Sequence, residues 1–143
     1  MDYIKIRFGP WVPGAGGRLT RTLGDLTRAY SASPGFRPQM DVLESAEEIL
    51  VVCELSGVAK DDFTLEVDNR YLRIAGVRRQ PPQQEGVRFH LAEIVYGPFE
   101  RMVELPAPVD PEKVSASLGN GFLEIRLQKR GASGPRRVPV TSD

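Results

Sequence analysis

Apolar and polar residues alternate through most of the chain, in short runs that turn residues separate. Period-two alternation in short runs at regular spacing predicts β-strands. The predicted strands cover residues 40–43, 49–55, 63–67, 71–76, 99–105, 114–118 and 122–128. Asn120-Gly121, between the last two, is a two-residue hairpin signal. No helical segment long enough for a crossover separates these strands, so the pattern predicts an antiparallel β-sandwich over residues 38–130.

Residues 1–37 have a different pattern, because closely spaced glycine and proline residues break regular structure there. Within this N-terminal arm, residues 18–30 place four apolar side chains on one helical stripe: Leu19, Leu23, Leu26 and Tyr30. The spacing predicts a short amphipathic helix, which is marginal alone and needs an apolar partner. That partner is the chain's own domain, another copy of the chain, a foreign apolar surface or a membrane.

Residues 78–97 form a connection too long for a hairpin, and a loop of this length in a compact domain usually has a function. Its second half, residues 88–93, has the composition of a strand that pairs elsewhere. Arg78 and Arg79, at its start, are predicted to be solvated charges.

Residues 131–143 form a C-terminal extension that begins with a linker rich in glycine and serine. Val138-Pro139-Val140 follows this linker. Proline disfavours helix, and in an extended segment the side chains of Val138 and Val140 point the same way. The extension is therefore predicted to be a tethered plug with two apolar side chains.

The composition excludes several classes of protein. The 143 residues include 19 Lys+Arg and 19 Asp+Glu, and this zero net charge argues against a polybasic nucleic-acid binder. A hydrophobic share of 41% is too high for a wholly disordered chain. The sequence has no apolar run long enough for a membrane span or a signal peptide, so the expected compartment is the reducing cytoplasm.

Candidates for catalysis and for metal binding are poor. With one cysteine, Cys53, and one histidine, His90, the chain has neither an internal disulfide nor the ligands of a zinc site. Cys53 lies in the most apolar predicted strand, which indicates an inert core thiol. His90 has no serine or cysteine motif around it. We therefore expect no enzyme activity, no catalytic residue, no metal and no cofactor.

Four motifs in this order resemble those of the small heat-shock protein (α-crystallin) family, in its bacterial and plant branch. They are Glu54-Leu55-Ser56-Gly57-Val58 (family E-L-P-G-V), Tyr96-Gly97-Pro98-Phe99-Glu100-Arg101 with Leu105-Pro106 (Y-G-x-F-x-R…L-P), Ala116-Ser117-Leu118-Gly119-Asn120-Gly121-Phe122-Leu123 (A-x-L-x-N-G-V-L) and Val138-Pro139-Val140 (I-x-I/V). The resemblance covers most of the chain. The sequence departs from it at Ser56, Phe122 and Ile94, where the family commonly has proline, an aliphatic residue and arginine.

The resemblance implies an α-crystallin domain, which is an immunoglobulin-like sandwich that dimerises. It implies that the long loop carries a strand that adds to the partner's sheet. The implied dimer-interface residues are Phe89, His90, Glu93 and Arg101. It also implies that the tail motif fills a groove at the sandwich edge of a neighbouring copy. The groove candidates by strand position are Leu65, Val67, Val114, Ala116 and Leu118, and the alternative role for each is plain core.

The activity that the resemblance implies is ATP-independent holding of unfolding proteins by an exchanging homo-oligomer. Its partners would be unfolding clients, bound by the arm stripe from Leu19 to Tyr30, and further copies of the chain, without nucleic acid or membrane. Two alternatives stay open. One is an adaptor of the CS-domain co-chaperone kind, against which the tail motif and the 116–123 run argue. The other is a membrane-surface protein that uses the 18–30 helix.

Overall fold

The computed structural model describes residues 6–8 and 35–131, which form eight β-strands. These are β1 (Ile6–Phe8), β2 (Met40–Glu44), β3 (Glu48–Glu54), β4 (Phe63–Val67), β5 (Tyr71–Arg78), β6 (Gly97–Glu104), β7 (Val109–Gly119) and β8 (Phe122–Lys129). A single 3₁₀ turn, Lys60–Asp62, precedes β4, and the described part of the chain has no other helix. All seven strands that the sequence predicts are present.

The strands form two four-stranded sheets, in the orders β1-β4-β5-β6 and β2-β3-β8-β7. All pairs of described strands are antiparallel except β1 with β4, which is parallel. The predicted antiparallel sandwich is confirmed. The parallel pair is an addition that the sequence did not predict, and it is possible because a long stretch of chain separates β1 from β4.

The core lies between the two sheets and includes alternate residues of β3, β4 and β8. In β5 five consecutive residues, 72–76, are buried, and β2 contributes no fully buried residue. In β3 and β8, Ile49 pairs with Leu127 and Val51 pairs with Ile125, and all four side chains are fully buried. The opposite sheet contributes Leu65, Val67, Leu72 and Ile74 to the same core. One buried face per sheet is what the period-two sequence pattern predicts for an antiparallel sandwich.

The turn between β7 and β8 is the hairpin that Asn120-Gly121 predicts. Asn120 has φ 53° and Gly121 has φ 80°, so both central residues lie in the left-handed region that a type I′ turn requires. A side chain at Gly121 would also approach Ser56, since a Cβ there would lie 3.1 Å from the Ser56 Cβ. The turn therefore sets the register of β7 against β8, and the turn itself lies next to the end of β3.

Cys53 lies in β3 opposite Leu123 and is fully buried. Burial raises the pKa of its thiol to about 11, and the smaller opposing effect of the Arg101 charge does not reverse this. Because the thiolate is the reactive form of cysteine, this side chain is an inert part of the core, as its strand position predicts.

We expect Cys53 to react with a thiol-specific disulfide reagent at pH 8 about a hundredfold more slowly in the folded chain than in denaturant. The reason is that the core blocks access to the sulfur and keeps it protonated. The absorbance of the released chromophore measures this rate. Equal rates in native buffer and in denaturant would contradict the buried placement.

Two predicted segments lie outside the described residues. They are the amphipathic stripe Leu19, Leu23, Leu26 and Tyr30, and the tail motif Val138, Pro139 and Val140. The helix over 18–30, the plug and the division into arm, domain and extension therefore stay predictions.

Candidate assembly surfaces

The long loop between β5 and β6 carries an exposed apolar surface. Residues 79–96 are all described, and none of them forms a strand within this chain. Five of their apolar side chains are exposed: Val87, Phe89, Leu91, Ile94 and Val95. Leu91 has the largest exposed fraction, 73%. A group of neighbouring apolar side chains exposed to solvent is typical of an interaction surface.

Arg78 fixes the point where this loop returns to the sandwich. Its guanidinium donates two hydrogen bonds to the carbonyl oxygen of Val95, one of them from Nε at 2.8 Å. The same group lies 3.8 Å from the ring centre of Phe36 and 5.6 Å from that of Tyr96. Phe36 in turn packs edge-to-face on Phe99 at 5.4 Å. The prediction that Arg78 is a solvated charge is wrong, because its partners lie far along the sequence and only the fold brings them together.

An open cleft of about 740 Å³ lies beneath the loop, against the ends of β5 and β6. Its walls include the apolar side chains of Phe89, Leu91 and Ile94 and the ring of Tyr96. Glu93 also lines the cleft. Phe89, Leu91 and Ile94 thus line the cleft and are exposed to solvent at the same time, because the cleft is open.

The four predicted dimer-interface residues are divided between two places. Phe89, His90 and Glu93 are exposed and close together in the loop. Arg101 is half-buried in β6, where its Nη1 donates a hydrogen bond to the carbonyl oxygen of Pro38, just before β2. Within this chain Arg101 therefore fixes the entry to β2.

β2 offers an open strand edge. It is the outermost strand of its sheet, and no described strand pairs with its outer side. Val42 and Leu43 of this strand are exposed by 41% and 50%. The unpaired N–H and C=O groups of an edge strand are a template on which a further strand can pair.

β7 is the outermost strand of its sheet, and its two ends lie close to the segments that flank β4. Val109 N–H donates a hydrogen bond to the Asn69 carbonyl at 2.9 Å, and Leu55 N–H donates one to the Gly121 carbonyl at 2.7 Å. They connect the two ends of β7 to the segments before and after β4. The inward-facing side chains of β7, Val114, Ala116 and Leu118, are half-buried and pack on the rim of the core.

The predicted groove residues of β4 differ from those of β7. Leu65 is 0% exposed and Val67 is 1% exposed, and both belong to the core cluster. The alternative role that the sequence left open, plain core, therefore describes their position in this chain. The outer edge of β4 is paired with β1, in the register Ile6 with Leu65 and Phe8 with Val67.

Arg73 forms an ion-pair network on the outer face of the β4-β5-β6 layer. Its Nε lies 2.7 Å from a carboxylate oxygen of Glu100, and its Nη1 lies 3.0 Å from one of Glu66. Burial acts to lower the pKa of Arg73, but the hydrogen bonds and charges of Glu100 and then Glu66 outweigh it, so the pKa is raised. This network joins three neighbouring strands, and its role is structural.

Two further kinds of feature are absent from the described residues: a metal site and a membrane-spanning helix. They contain no group of three or more histidine, cysteine, aspartate or glutamate side chains arranged to hold a metal ion. None of the helices in the described part of the chain has the length and hydropathy of a membrane span.

Comparisons with known proteins agree with the four motifs. A family model described as the Hsp20/alpha crystallin family matches residues 41–141. The small heat shock protein C4 of Rickettsia felis is 32% identical over 104 residues, which are 73% of this chain and 64% of that protein. The chain thus spans slightly less than two thirds of this relative.

Solved structures share the fold. The small heat-shock protein of Xylella fastidiosa matches with a TM-score of 0.64 and 29% identity, over 76% of this chain and 100% of that one. The heat shock protein 16.0 of Schizosaccharomyces pombe matches with a TM-score of 0.63 and 28% identity, over 75% of this chain and 99% of that one. The resemblance predicted from the sequence is confirmed.

Proposed function

The chain belongs to the Hsp20/alpha crystallin family, and we propose that it is an ATP-independent holding chaperone that works as an exchanging homo-oligomer. The observation that carries this proposal is the exposed apolar surface of the long loop on an otherwise well-packed sandwich. A protein that carries such surface associates with copies of itself or with other exposed apolar surface. In a reducing cytoplasm, unfolding proteins supply that second kind of surface.

We propose that the dimer forms when the loop of one copy adds to the β2 edge of another. The loop has apolar residues and no strand partner in its own chain, and β2 has an open edge with exposed Val42 and Leu43. Strand addition satisfies the backbone groups of both segments, and the apolar side chains then become buried. Phe89 and His90 are the proposed centre of the contact, with Glu93 beside them, and Arg101 holds the entry to β2 in place.

Larger assemblies are proposed to form through the C-terminal extension. Val138 and Val140 would enter the groove between β4 and β7 of a neighbouring copy, against Val114, Ala116 and Leu118. Burying two valine side chains contributes about 3–5 kcal/mol before entropic costs, which corresponds to millimolar affinity at best. One tail therefore binds weakly, whereas many tails together hold an assembly whose subunits still exchange.

Client binding is proposed for the arm. Its stripe, Leu19, Leu23, Leu26 and Tyr30, would be covered within the assembly and uncovered when subunits exchange. Apolar burial at ~25 cal/mol per Å² gives the same driving force for binding a client as for the client's own aggregation. The chaperone thus competes with aggregation without consuming ATP.

The test is light scattering from an aggregation-prone enzyme heated without nucleotide. We expect the chain, at one subunit per client molecule, to suppress most of the scattering, whereas an equal mass of an unrelated β-sandwich protein does not. Unchanged scattering at this ratio would refute the holding activity and favour the adaptor function.

Replacing Val138 and Val140 together by alanine is expected to reduce the native mass of the assembly to that of a dimer. The reason is that the plug loses most of its apolar area, while the loop contact is untouched. Native mass spectrometry at micromolar concentration measures the change. The matched control is Thr141→Ala with Ser142→Ala, which should keep the parental mass. A plug variant of unchanged mass would show that the tail does not hold the assembly.

A further inference from the structure

The edge of β4 is already occupied in this chain. β1 pairs with it in parallel over three residues, Ile6 with Leu65, Arg7 with Glu66 and Phe8 with Val67. Without β1, β4 would be the outermost strand of its sheet. Because one side of a strand can pair with only one other strand, whatever else binds this edge must first displace β1.

The occupying segment and the proposed plug have the same sequence pattern. Ile6-Arg7-Phe8 and Val138-Pro139-Val140 each place two apolar residues on either side of a single intervening residue. We infer that β1 is an autoinhibitory strand, which fills the β4 edge of its own chain and excludes the tail of a neighbouring copy. This inference rests on the tail's proposed role in assembly.

The competition is close to balanced. β1 is attached to the domain by residues 9–39, and a tethered segment of this kind acts at an effective concentration in the millimolar range. Because β1 has the same apolar pattern as the tail, its own affinity for the edge is also of millimolar order, so β1 occupies the edge about half of the time. Pro139 has no N–H group to donate to β4. Small changes in either segment therefore shift which of them occupies the edge.

Weakening β1 is expected to change the size of the assembly in the direction opposite to weakening the tail. Weakening the tail makes the assembly smaller, whereas weakening β1 makes tail binding tighter and the assembly larger and slower to exchange. A merely structural β1 strand would do neither, because its loss would only destabilise β4.

The experiment uses the full chain with Val138→Ser and Val140→Ser, so that its own tail no longer competes for the binding site. The probe is a fluorescent peptide of residues 132–143. Adding Ile6→Ser with Phe8→Ser is expected to lower the Kd of the peptide about twofold, measured by anisotropy, because a balanced competition leaves the edge free about half of the time. Arg7→Ser is the matched control, because it keeps both apolar residues and should leave the Kd unchanged. Equal Kd values for the two variants would overturn the inference alone. A peptide that binds no variant would overturn the proposed role of the tail, and the inference with it.

A reversible cross-link gives a second measurement. Arg7→Cys with Glu66→Cys places two thiols at directly paired positions, while Cys53 stays unreactive in the core. We expect oxidation to trap β1 on β4 and to weaken peptide binding at least tenfold, and reduction to restore it. Glu66→Cys alone is the control, since it removes one partner of Arg73 without a cross-link. Undiminished peptide binding by the oxidised chain, or failure of the pair to cross-link, would contradict the inference.

Discussion

Replacing Phe89 and Leu91 together by serine is expected to convert the proposed dimer into a monomer at micromolar concentration. Both side chains are exposed in the single chain, by 58% and 73%, so the fold itself loses little when they are shortened. At the centre of an interface, two such apolar anchors contribute about 2 kcal/mol each, and their loss raises the dimer Kd roughly a thousandfold. Sedimentation velocity, in a chain that also carries the alanine changes at Val138 and Val140, isolates this contact.

Phe122→Ser is the control for the loop variant. Phe122 is an apolar side chain of similar exposure, 49%, but it lies at the start of β8 rather than in the loop. We expect this control to stay dimeric and both variants to melt within a few degrees of the parent. If the loop variant stays dimeric at every protein concentration at which the Phe122 control is dimeric, the proposed interface is wrong.

Gly76→Ala is expected to lower the free energy of unfolding by about 3 kcal/mol or more. Gly76 lies in β5 opposite Phe63, and a Cβ at this position would lie 2.3 Å from the Asp62 carbonyl oxygen and 2.6 Å from the Phe63 Cβ. The obstacle includes backbone, so β4 and β5 must separate for the methyl group to fit. For a domain of this size the change corresponds to a Tm lower by roughly 10–20 °C, measurable by circular dichroism.

Gly119→Ala is the matched control for this substitution. Gly119 also lies in a strand, β7, but no heavy atom lies within 4 Å of a Cβ built there, and its φ lies outside the left-handed region. We expect its free energy of unfolding to stay within about 0.5 kcal/mol of the parent. If the two alanine variants were equally stable, the close packing of β4 on β5 would be wrong.

A strand is predicted most clearly from sequence where apolar and polar residues alternate over many positions. β3 and β8 each carry a clear apolar pattern over seven or eight residues, and the hairpin before β8 needs the left-handed conformations that Asn120 and Gly121 tolerate. β7 begins earlier than its pattern suggests. The reason is that its first part contains Pro111 and shifts register between Val109 and Val114, as a bulge allows.

The features that escaped prediction depend on contacts between distant residues. Three residues in an arm rich in glycine and proline carry too little periodicity to indicate β1, which forms because β4 offers it an edge. Arg78 finds Val95 only after the loop has returned to the sandwich. Arg73 meets Glu66 and Glu100 through the registers of two strand pairs, so its neighbours are known only once those registers are known.

The proposed groove shows what a strand assignment leaves open. The sequence assigned Leu65, Val67, Val114 and Leu118 to it by strand position alone, and strand position does not give the accessibility of a side chain. In β4 the inward side chains are covered completely, whereas β7 is the outermost strand of its sheet and its inward side chains are only half covered. The accessible wall of the proposed groove is therefore β7.

The holding activity is tested most directly by asking where a heated client goes. An aggregation-prone enzyme is heated with an equimolar amount of the chain without ATP, and the soluble fraction is separated by size and analysed for both proteins. We predict that the client elutes together with the chain in complexes larger than the unheated assembly. Client recovered as native enzyme without the chain, or found only in the pellet, would contradict the proposal that this protein holds unfolding proteins.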